Sequence, residues 1–434
     1  MAREEDDGNL SPAAVSDDVE KPSRDDSGDE TATPAQDFPE GGLRAWMVAA
    51  GTGGILFCTL GYTNSFGVFQ EYYMAHQLKH ESSDRIAWIG SLQGFLIFAS
   101  GAVGGPLFDR YGAKVIRPAA ILYVFAVMMT SICKTYWQFM LAQGVLTGIA
   151  DGLLMFPSMA ATPQYFHKKR GAAMGIAIAG SSLGGVVFPI ALGKMLNGSS
   201  SISFGWAVRI CGFIMVPILT FSAVAIKARL PPRASRFFLL EAFRNRLYVL
   251  LILACFCLFI GLFVPTFFLP SFAVTIGVKP TLASYLVALF NAASIPGRIL
   301  PGVLADKFGR LNMLFAAGVS TTIIVFCWTA VDSTAGVILY ALAFGFSSGA
   351  IISGGSVAMT LCPSDPSHIG TYMGQGMALA ATATLLGPPV TGVMLDKYGG
   401  FLEISMFAGA FCVVGSALIV LAKSAAGKGL FANV

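Results

Sequence analysis

Apolar runs of about 20 residues follow one another along the chain from Trp46 almost to its end. A helix of that length rises about 30 Å, which is the thickness of the hydrocarbon core of a bilayer. We therefore predict twelve membrane-spanning helices. In chain order they cover about 46–70, 86–108, 115–133, 136–160, 171–193, 204–227, 247–272, 281–304, 311–331, 335–361, 368–394 and 401–423.

The apolar runs lack the alternation of apolar and polar residues that marks strands of a β-barrel. In lipid every backbone N–H and C=O must find a partner, and a helix supplies those partners within the segment. The fold predicted is therefore an all-α membrane protein with two groups of six helices. The bilayer itself is the first partner of such a chain.

The amino-acid composition also indicates a membrane protein. Only 12% of the 434 residues are charged and 55% are hydrophobic, with a mean hydropathy of +0.69. Soluble chains average about 25% charged residues. Most soluble enzymes and nucleic-acid-binding proteins are thereby excluded, and no nucleic acid is expected as a partner.

Charge is distributed unevenly. Residues 1–38 hold 12 acids and 3 bases, a net charge of −9, whereas residues 39–434 hold 12 acids and 25 bases, a net charge of +13. An acidic segment with one aromatic residue cannot bury enough apolar surface to fold alone. We predict a disordered tail, which is either inert or regulated by phosphorylation of its serines. The chain is predicted to consist of five parts, which are an N-terminal tail (1–38), an N-terminal six-helix half (39–227), a linker (228–246), a C-terminal six-helix half (247–424) and a C-terminal tail (425–434).

Lys and Arg in the connections set the predicted orientation. With the N-terminus in the cytoplasm, 17 of these residues fall on the cytoplasmic side and 6 on the other. Cytoplasmic loops are enriched in Lys and Arg. We predict a multi-pass protein, of the plasma membrane, with both termini in the cytoplasm.

A loop motif occurs twice, as GPLFDRYGAK between helices 2 and 3 and as GVLADKFGRL between helices 8 and 9. The two aspartates are 197 residues apart, so the halves repeat. The residues of the repeat are Gly105, Asp109, Arg110 and Gly112 in the first copy and Gly302, Asp306, Lys307, Gly309 and Arg310 in the second. Glycines allow close helix contact, and an acid at a helix end can pair across to the other half. The alternative is that both aspartates are solvated loop charges.

This repeated loop resembles the signature of the major facilitator superfamily, and the resemblance covers about residues 40–425. Two further stretches, EGGLRAWMV at 40–48 and QYFHKKRGAAMGIAIAGSSLGG at 164–185, are similar to motifs of the monocarboxylate transporters, particularly their fungal branch. Residues of the second stretch that fall on the family's fifth-helix motif include Tyr165, Phe166, Lys168, Lys169, Arg170, Gly175, Gly180 and Gly184.

Ionisable residues inside a membrane are costly, and Arg298 lies within helix 8. The resemblance implies that this arginine holds a substrate carboxylate, which suits a guanidinium group. The alternatives are an arginine that reaches the membrane interface or one paired for structure. Two charged residues of the monocarboxylate transporters are absent from this chain. Ser294 occupies the position of the family's aspartate, and Asn64 occupies the position of its first-helix lysine. Either coupling uses other groups, or the substrate is not a simple monocarboxylate.

Asp151 lies within helix 4 and is the remaining acid at membrane depth. It is a candidate ion-pair partner of Arg298 or a proton carrier, and the alternative is a structural aspartate. The fold that the resemblance implies makes Tyr62, Asn64 and Asn291 candidate lining residues of a solute cavity. Asn197 begins an Asn-Gly-Ser sequon on the predicted outer face, which is a candidate glycosylation site.

The predicted function is secondary active transport of a small organic solute by alternating access, in the direction of metabolite efflux. Proton-coupled monocarboxylate uptake and a non-transporting sensor on the same fold are the alternatives. No phosphate-binding GxxxxGK[ST] loop is found, so transport driven directly by ATP is not expected. No catalytic cluster is found, so the chain is not expected to be an enzyme. The cysteines and histidines show no metal-ligand spacing, so neither metal nor cofactor is expected, apart from a proton gradient as the energy source.

Overall fold

The computed structural model describes residues 39–197, 202–231 and 238–426. Within these ranges the chain forms seventeen α-helices and no β-strand. The first nine are α1 (Gly42–Cys58), α2 (Leu60–Thr63), α3 (Phe66–Ala75), α4 (Ser83–Ala99), α5 (Gly101–Tyr111), α6 (Ile116–Thr130), α7 (Tyr136–Phe139), α8 (Gly148–Ala161) and α9 (Arg170–Asn197). The others are α10 (Phe204–Ala225), α11 (Arg246–Thr275), α12 (Pro280–Phe308), α13 (Arg310–Phe326), α14 (Thr334–Met359), α15 (Ile369–Ala380), α16 (Thr382–Tyr398) and α17 (Leu402–Ala425).

These helices supply the twelve predicted spans. Ten continuous stretches of the described residues are long and apolar enough to cross a membrane, and the shorter helix α13 is apolar as well. One of the ten stretches, Arg85–Thr130, is 46 residues long and counts as two spans, because the chain reverses after α5 at Gly112. Gly112 has a φ of 65°, which few other residues adopt. The predicted all-α fold is confirmed.

The first span is not one continuous helix. It is divided at Thr59, whose φ and ψ are −86° and −83°, and again at Asn64 and Ser65. The four-residue helix α2 is left between the two breaks. The fourth span contains a wide π-helical stretch, Met140–Thr147, immediately before α8. Such irregular turns often mark functional positions in a helix.

Two apolar cores correspond to the two groups of spans. One core is built from residues between Ala45 and Ile226. The other is built mainly from residues between Ala242 and Ala422, and it also includes Met155, Met174 and Ile178 of α8 and α9. The second core therefore extends across the contact between the halves.

One end of the bundle, which we call the basic face, is formed by residues 109–117, 165–172, 306–310 and 360–371. Hydrogen bonds join these segments, for example from the Arg310 guanidinium to the His167 carbonyl oxygen at 2.6 Å and from Arg170 to the Thr360 carbonyl oxygen at 3.2 Å. The predicted acidic tail, part of the linker 228–246 and most of the C-terminal tail lie outside the described residues.

Candidate functional site

Arg298 lies inside α12, with 4% of its surface exposed. Its Nη1 donates to the Ile178 carbonyl oxygen at 2.8 Å and to the Ser181 hydroxyl, and both acceptors belong to α9 in the other half. Its Nε has no hydrogen-bond partner. Among the described residues, the groups that Arg298 contacts in this way are neutral. A buried guanidinium without a counter-ion is unfavourable, and a bound anion would relieve it.

Two polar residues precede Arg298 on the same helix. The Ser294 hydroxyl donates to the Asn291 carbonyl oxygen at 2.8 Å and shares a hydrogen bond with the Ser182 hydroxyl at 2.6 Å. Because the Ser294 hydrogen is used on Asn291, Ser182 is the donor in the second bond. Ser182 and Ser294 are both buried and join α9 to α12 across the halves.

Asn64 and Asn291 meet over Gly185 of α9. A Cβ placed on Gly185 would lie 2.8 Å from both the Asn291 Oδ1 and the Asn64 Nδ2. Asn64 is exposed at the break between α2 and α3, whereas Asn291 is 3% exposed. The missing side chain of Gly185 therefore makes room for two amides from opposite halves.

We call this group of polar residues the central cluster; it comprises Asn64, Ser181, Ser182, Asn291, Ser294 and Arg298. Four of its members, on α12 and at the α2–α3 break, are the residues proposed from the sequence. Ser181 and Ser182 were missed. They lie in the GSSLGG segment of the fifth-helix motif. Small residues in such a segment predict close helix packing, so nothing in the sequence indicates that these hydroxyls take part in a polar site.

Tyr62 is placed outside the central cluster. Its ring is 2% exposed and packs against Phe69 and Phe188, at centroid distances of 5.5 and 5.7 Å. Its hydroxyl has no hydrogen-bond partner. Tyr62 therefore lies in the core of the N-terminal half in this state.

Asp151 is likewise apart from Arg298. Its carboxylate is fully buried, and its Oδ2 accepts a hydrogen bond from the Thr63 hydroxyl at 3.3 Å. Its Oδ1 has no partner. Within the described residues no ion pair joins Asp151 to Arg298, so the pairing considered from the sequence is not formed here.

The repeated loops clasp the two halves at the basic face. Asp109 accepts hydrogen bonds from the backbone N–H of Gly370 at 3.1 Å and of Thr371 at 2.6 Å, at the start of α15. The Thr371 hydroxyl donates to the same carboxylate at 2.6 Å. A Cβ on Gly105 would lie 2.0 Å from the Gly370 carbonyl oxygen, so only glycine permits this approach. Asp109 is 6% exposed and is not a solvated loop charge.

The second copy of the loop motif makes the equivalent contact in the other direction, from the C-terminal half to the N-terminal half. Asp306 accepts from the backbone N–H of Gly171 at 2.8 Å and of Ala172 at 2.9 Å, at the start of α9. A Cβ on Gly302 would lie 2.5 Å from the Gly171 carbonyl oxygen. Arg310 has its Nε 3.9 Å from Asp306, so a base on the adjoining helix also faces this acid.

The remaining loop residues support these contacts. Gly309, like Gly112, has a positive φ, of 94°, where α12 turns into α13. Arg110 lies over the Tyr111 ring, with its guanidinium carbon 5.6 Å from the ring centroid. Lys307 is exposed on the last turn of α12.

The fifth-helix motif is held by the entry to the first span. The Glu40 carboxylate accepts from the backbone N–H of His167, Lys168 and Lys169 at 2.9, 2.6 and 3.2 Å. Partial burial raises the pKa of Glu40, but the three N–H donors outweigh it and leave the pKa below its ordinary value. The two stretches that resemble monocarboxylate transporters thus form one contact.

Other residues of this motif fix its neighbours. The Tyr165 hydroxyl donates to the Lys227 carbonyl oxygen at 3.1 Å, and the Phe166 ring lies 5.1 Å from that of Trp46. Arg170 reaches the other half through the hydroxyl and carbonyl oxygen of Thr360.

Glycines of the motif bring α9 against its neighbours. Cβ atoms on Gly175, Gly180 and Gly184 would lie 2.3, 2.2 and 2.3 Å from the backbone oxygens of Arg298, Gly53 and Phe57. Tight helix contact through small residues, as predicted for this stretch, is thus present.

Asn197, the candidate glycosylation site, is the last residue of α9 and lies at the end remote from the basic face. Gly198 and Ser199, which complete the sequon, lie outside the described residues. Glycosylation therefore stays a prediction.

Curated relatives are similar over most of the chain. The aspyridones efflux protein apdF of Emericella nidulans is 52% identical over 403 residues, which are 92% of this chain and 82% of the relative. The agnestins efflux protein AgnL12 of Paecilomyces divaricatus is 39% identical over 389 residues, which are 88% of this chain and 87% of the relative.

Solved structures share the fold at low sequence identity. The E. coli fucose:proton symporter FucP superposes with a TM-score of 0.70 at 14% identity, covering 87% of this chain and 99% of that one. The human organic anion transporter MFSD10 gives a TM-score of 0.66 at 16% identity, covering 89% and 100%. Residues 52–388 match the sequence pattern of the Major Facilitator Superfamily. With the twelve spans and the paired loop clasps, this match places the chain in the Major Facilitator Superfamily of membrane transporters.

Proposed function

We propose that the chain exports a small organic metabolite that carries an anionic group, and that Arg298 binds this group. The observation that carries the proposal is the environment of Arg298, which is buried and bonded to a carbonyl oxygen and a hydroxyl. An anion would replace these neutral acceptors by a charged one and would supply the counter-ion that the buried guanidinium lacks.

Anion binding at Arg298 competes with the contact between the halves. The present acceptors, Ile178 and Ser181, belong to α9, and the backbone of α9 is also bonded to Asp306 at the basic face. A solute that takes the guanidinium away from α9 weakens the α9–α12 contact. Arg298 therefore bonds either to the solute or to α9, which couples solute binding to the position of the halves, as alternating access requires.

The basic face is cytoplasmic in this proposal, and both termini lie in the cytoplasm of a cell whose plasma membrane holds the protein. The excess of Lys and Arg in the connections on that side supports this orientation. The direction of export is supported by similarity to the two relatives named as efflux proteins. The proposed energy source is a proton gradient, and no metal or organic cofactor takes part.

A comparison of cells with and without the protein tests this function. All small metabolites are measured inside and outside both kinds of cell, without choosing a candidate in advance. We expect at least one acidic metabolite to accumulate inside the cells that lack the protein and to fall in their medium. An unchanged distribution of every metabolite contradicts transport, and a deficit inside those cells contradicts export.

A further inference from the structure

The unpartnered oxygen of Asp151 is the least explained polar group in the interior. The residue is 0% exposed, its Oδ2 accepts a hydrogen bond from the Thr63 hydroxyl, and its Oδ1 has no partner. The Thr63 hydroxyl itself accepts from the Gln93 Nε2 at 3.0 Å, and the Gln93 Oε1 has no partner although Gln93 is 1% exposed. The group therefore holds two buried acceptor oxygens, on Asp151 and Gln93, that lack donors.

The titratable groups that face Asp151 offer it no cation. One of them is the phenol of Tyr123 on α6, a helix that packs against α8. The Tyr123 hydroxyl is already used, because it donates to the Cys58 carbonyl oxygen at 2.8 Å.

A proton meets this need better than a metal ion. Among the described residues, no group of three or more His, Cys, Asp or Glu side chains is arranged to hold a metal. A proton added to the Asp151 carboxylate turns one acceptor oxygen into a hydroxyl donor and removes the buried charge. No other atom has to enter the site.

The short helix α2 connects Asp151 to the central cluster. Thr63, its last residue, bonds to Asp151, and the next residue, Asn64, lies beside Asn291 over Gly185. Gly61 of the same helix sits against α9, where a Cβ on Gly61 would lie 2.6 Å from the Gly184 Cα. A break on each side, at Thr59 and at Asn64 and Ser65, separates α2 from α1 and α3.

We propose that Asp151 is the proton-binding site of this carrier and that α2 transmits its protonation state to Asn64 in the central cluster. The inference rests on the proposed function and deepens it by naming the site and the path of coupling. When Asp151 is ionised, the Thr63 hydroxyl donates to it. When Asp151 binds a proton, the Thr63 hydroxyl no longer donates to a charged group, and this hydrogen bond weakens. The weaker bond lets α2 move relative to α9, so Asn64 changes its position at the solute site.

The first test detects the proton directly. Infrared difference spectra of the full-length protein in lipid nanodiscs are recorded while the pH is changed. We expect wild type to show a carboxyl C=O band on acidification that Asp151→Asn lacks and that Asp151→Glu retains. Identical difference spectra for wild type and Asp151→Asn overturn the proposal. Asp151→Glu keeps the test decisive if the amide variant does not fold.

The second test detects the coupling. Asn64→Cys reports on the central cluster, and Gly67→Cys on α3 is its matched control, since it is exposed on the same span beyond the break. Both cysteines are labelled with a maleimide, and the ratio of the two labelling rates is measured. Because pH changes the reactivity of both thiols in the same way, this effect drops out of the ratio. We expect this ratio to change about tenfold with pH, the size of a typical coupling between sites, and to be constant in Asp151→Asn. A ratio that is constant in wild type, or that changes equally in both, contradicts the proposal.

Neither test uses a solute. Failure of both leaves the metabolite comparison, and with it the proposed export, untouched. Conversely, a protein that moves no metabolite still shows the carboxyl band and the labelling change if Asp151 binds the proton. The two proposals therefore fail separately.

Discussion

The carboxylate of Asp109 caps α15 through the backbone N–H of Thr371, with 2.6 Å between the oxygen and the nitrogen. Asp306 caps α9 in the same way through Gly171 at 2.8 Å. Each acid belongs to one half and each capped helix to the other. Negative charge at a helix N-terminus is favourable, so both caps stabilise the closed basic face and both must break when that face opens.

Replacing Asp109 by Asn should therefore favour opening of the basic face. The asparagine amide keeps one acceptor oxygen, but its NH2 group replaces the other one. That NH2 group then faces the N–H and hydroxyl donors of Thr371 and cannot accept a hydrogen bond from them. Loss of the negative charge at the helix N-terminus and of one acceptor oxygen costs about 1 kcal/mol, which corresponds to about a fivefold shift in the population. The measurement is the labelling rate of Met159→Cys, a buried position between the halves, by an impermeant thiol reagent. Asp332→Asn, in an exposed loop, is the control, and equal rates in the two variants would contradict the clasp.

Gly175→Ala should separate α9 from α12. The added Cβ would lie 2.3 Å from the Arg298 carbonyl oxygen, and a backbone atom cannot move aside as a side chain can. Overpacking of this kind costs about 1–3 kcal/mol. We expect a lower thermal unfolding temperature in detergent and reduced export. Gly193→Ala on the same helix has nothing within 4 Å of the new Cβ and should behave as wild type. A similar loss in both variants would show a general sensitivity of α9 instead.

Glu40→Gln should weaken the link between the entry of the first span and the start of α9. A neutral amide oxygen replaces a carboxylate that accepts three backbone N–H bonds. Hydrogen bonds to charged groups contribute about 1.5–3 kcal/mol, so the loss should be visible as reduced thermal stability near neutral pH. Glu71→Gln, on the exposed side of α3, is the matched control.

The same residue predicts how stability depends on pH. Because the pKa of Glu40 is lower in the folded protein than its ordinary value, its contribution is complete above that ordinary value and is lost as the pH falls through the folded value. Wild type should therefore lose more stability on acidification than Glu40→Gln does. Parallel stability curves for the two proteins would contradict the role assigned to Glu40.

The sequence predicted the twelve spans because length and apolar character alone decide what crosses a bilayer. It did not predict the breaks around α2, where no proline stands and the apolar run continues through Thr59. The clasps were predicted as a duplicated motif, but their partners were not. Backbone N–H groups at the starts of α9 and α15 carry no signature in side chains.

The candidate site was predicted in part. Arg298, Ser294 and Asn291 share a face of α12 by helical spacing, and Asn64 was found by comparison with a family pattern. Asp151 and Arg298 were considered as partners because both lie at membrane depth. Depth along a helix does not fix the direction of a side chain, and Asp151 instead faces Thr63 inside its own half.

The most direct measurement of the central claim is the export rate of the accumulated metabolite by purified protein in liposomes. Arg298→Ala removes the charge that binds the anionic group, so we expect the rate to fall by at least about tenfold, as for a lost hydrogen bond to a charged group. Arg298→Lys should restore it only in part, since an ammonium lacks the planar fork of donors. Arg117→Ala, exposed at the start of α6, should transport as wild type does. A wild-type rate in Arg298→Ala would contradict the claim.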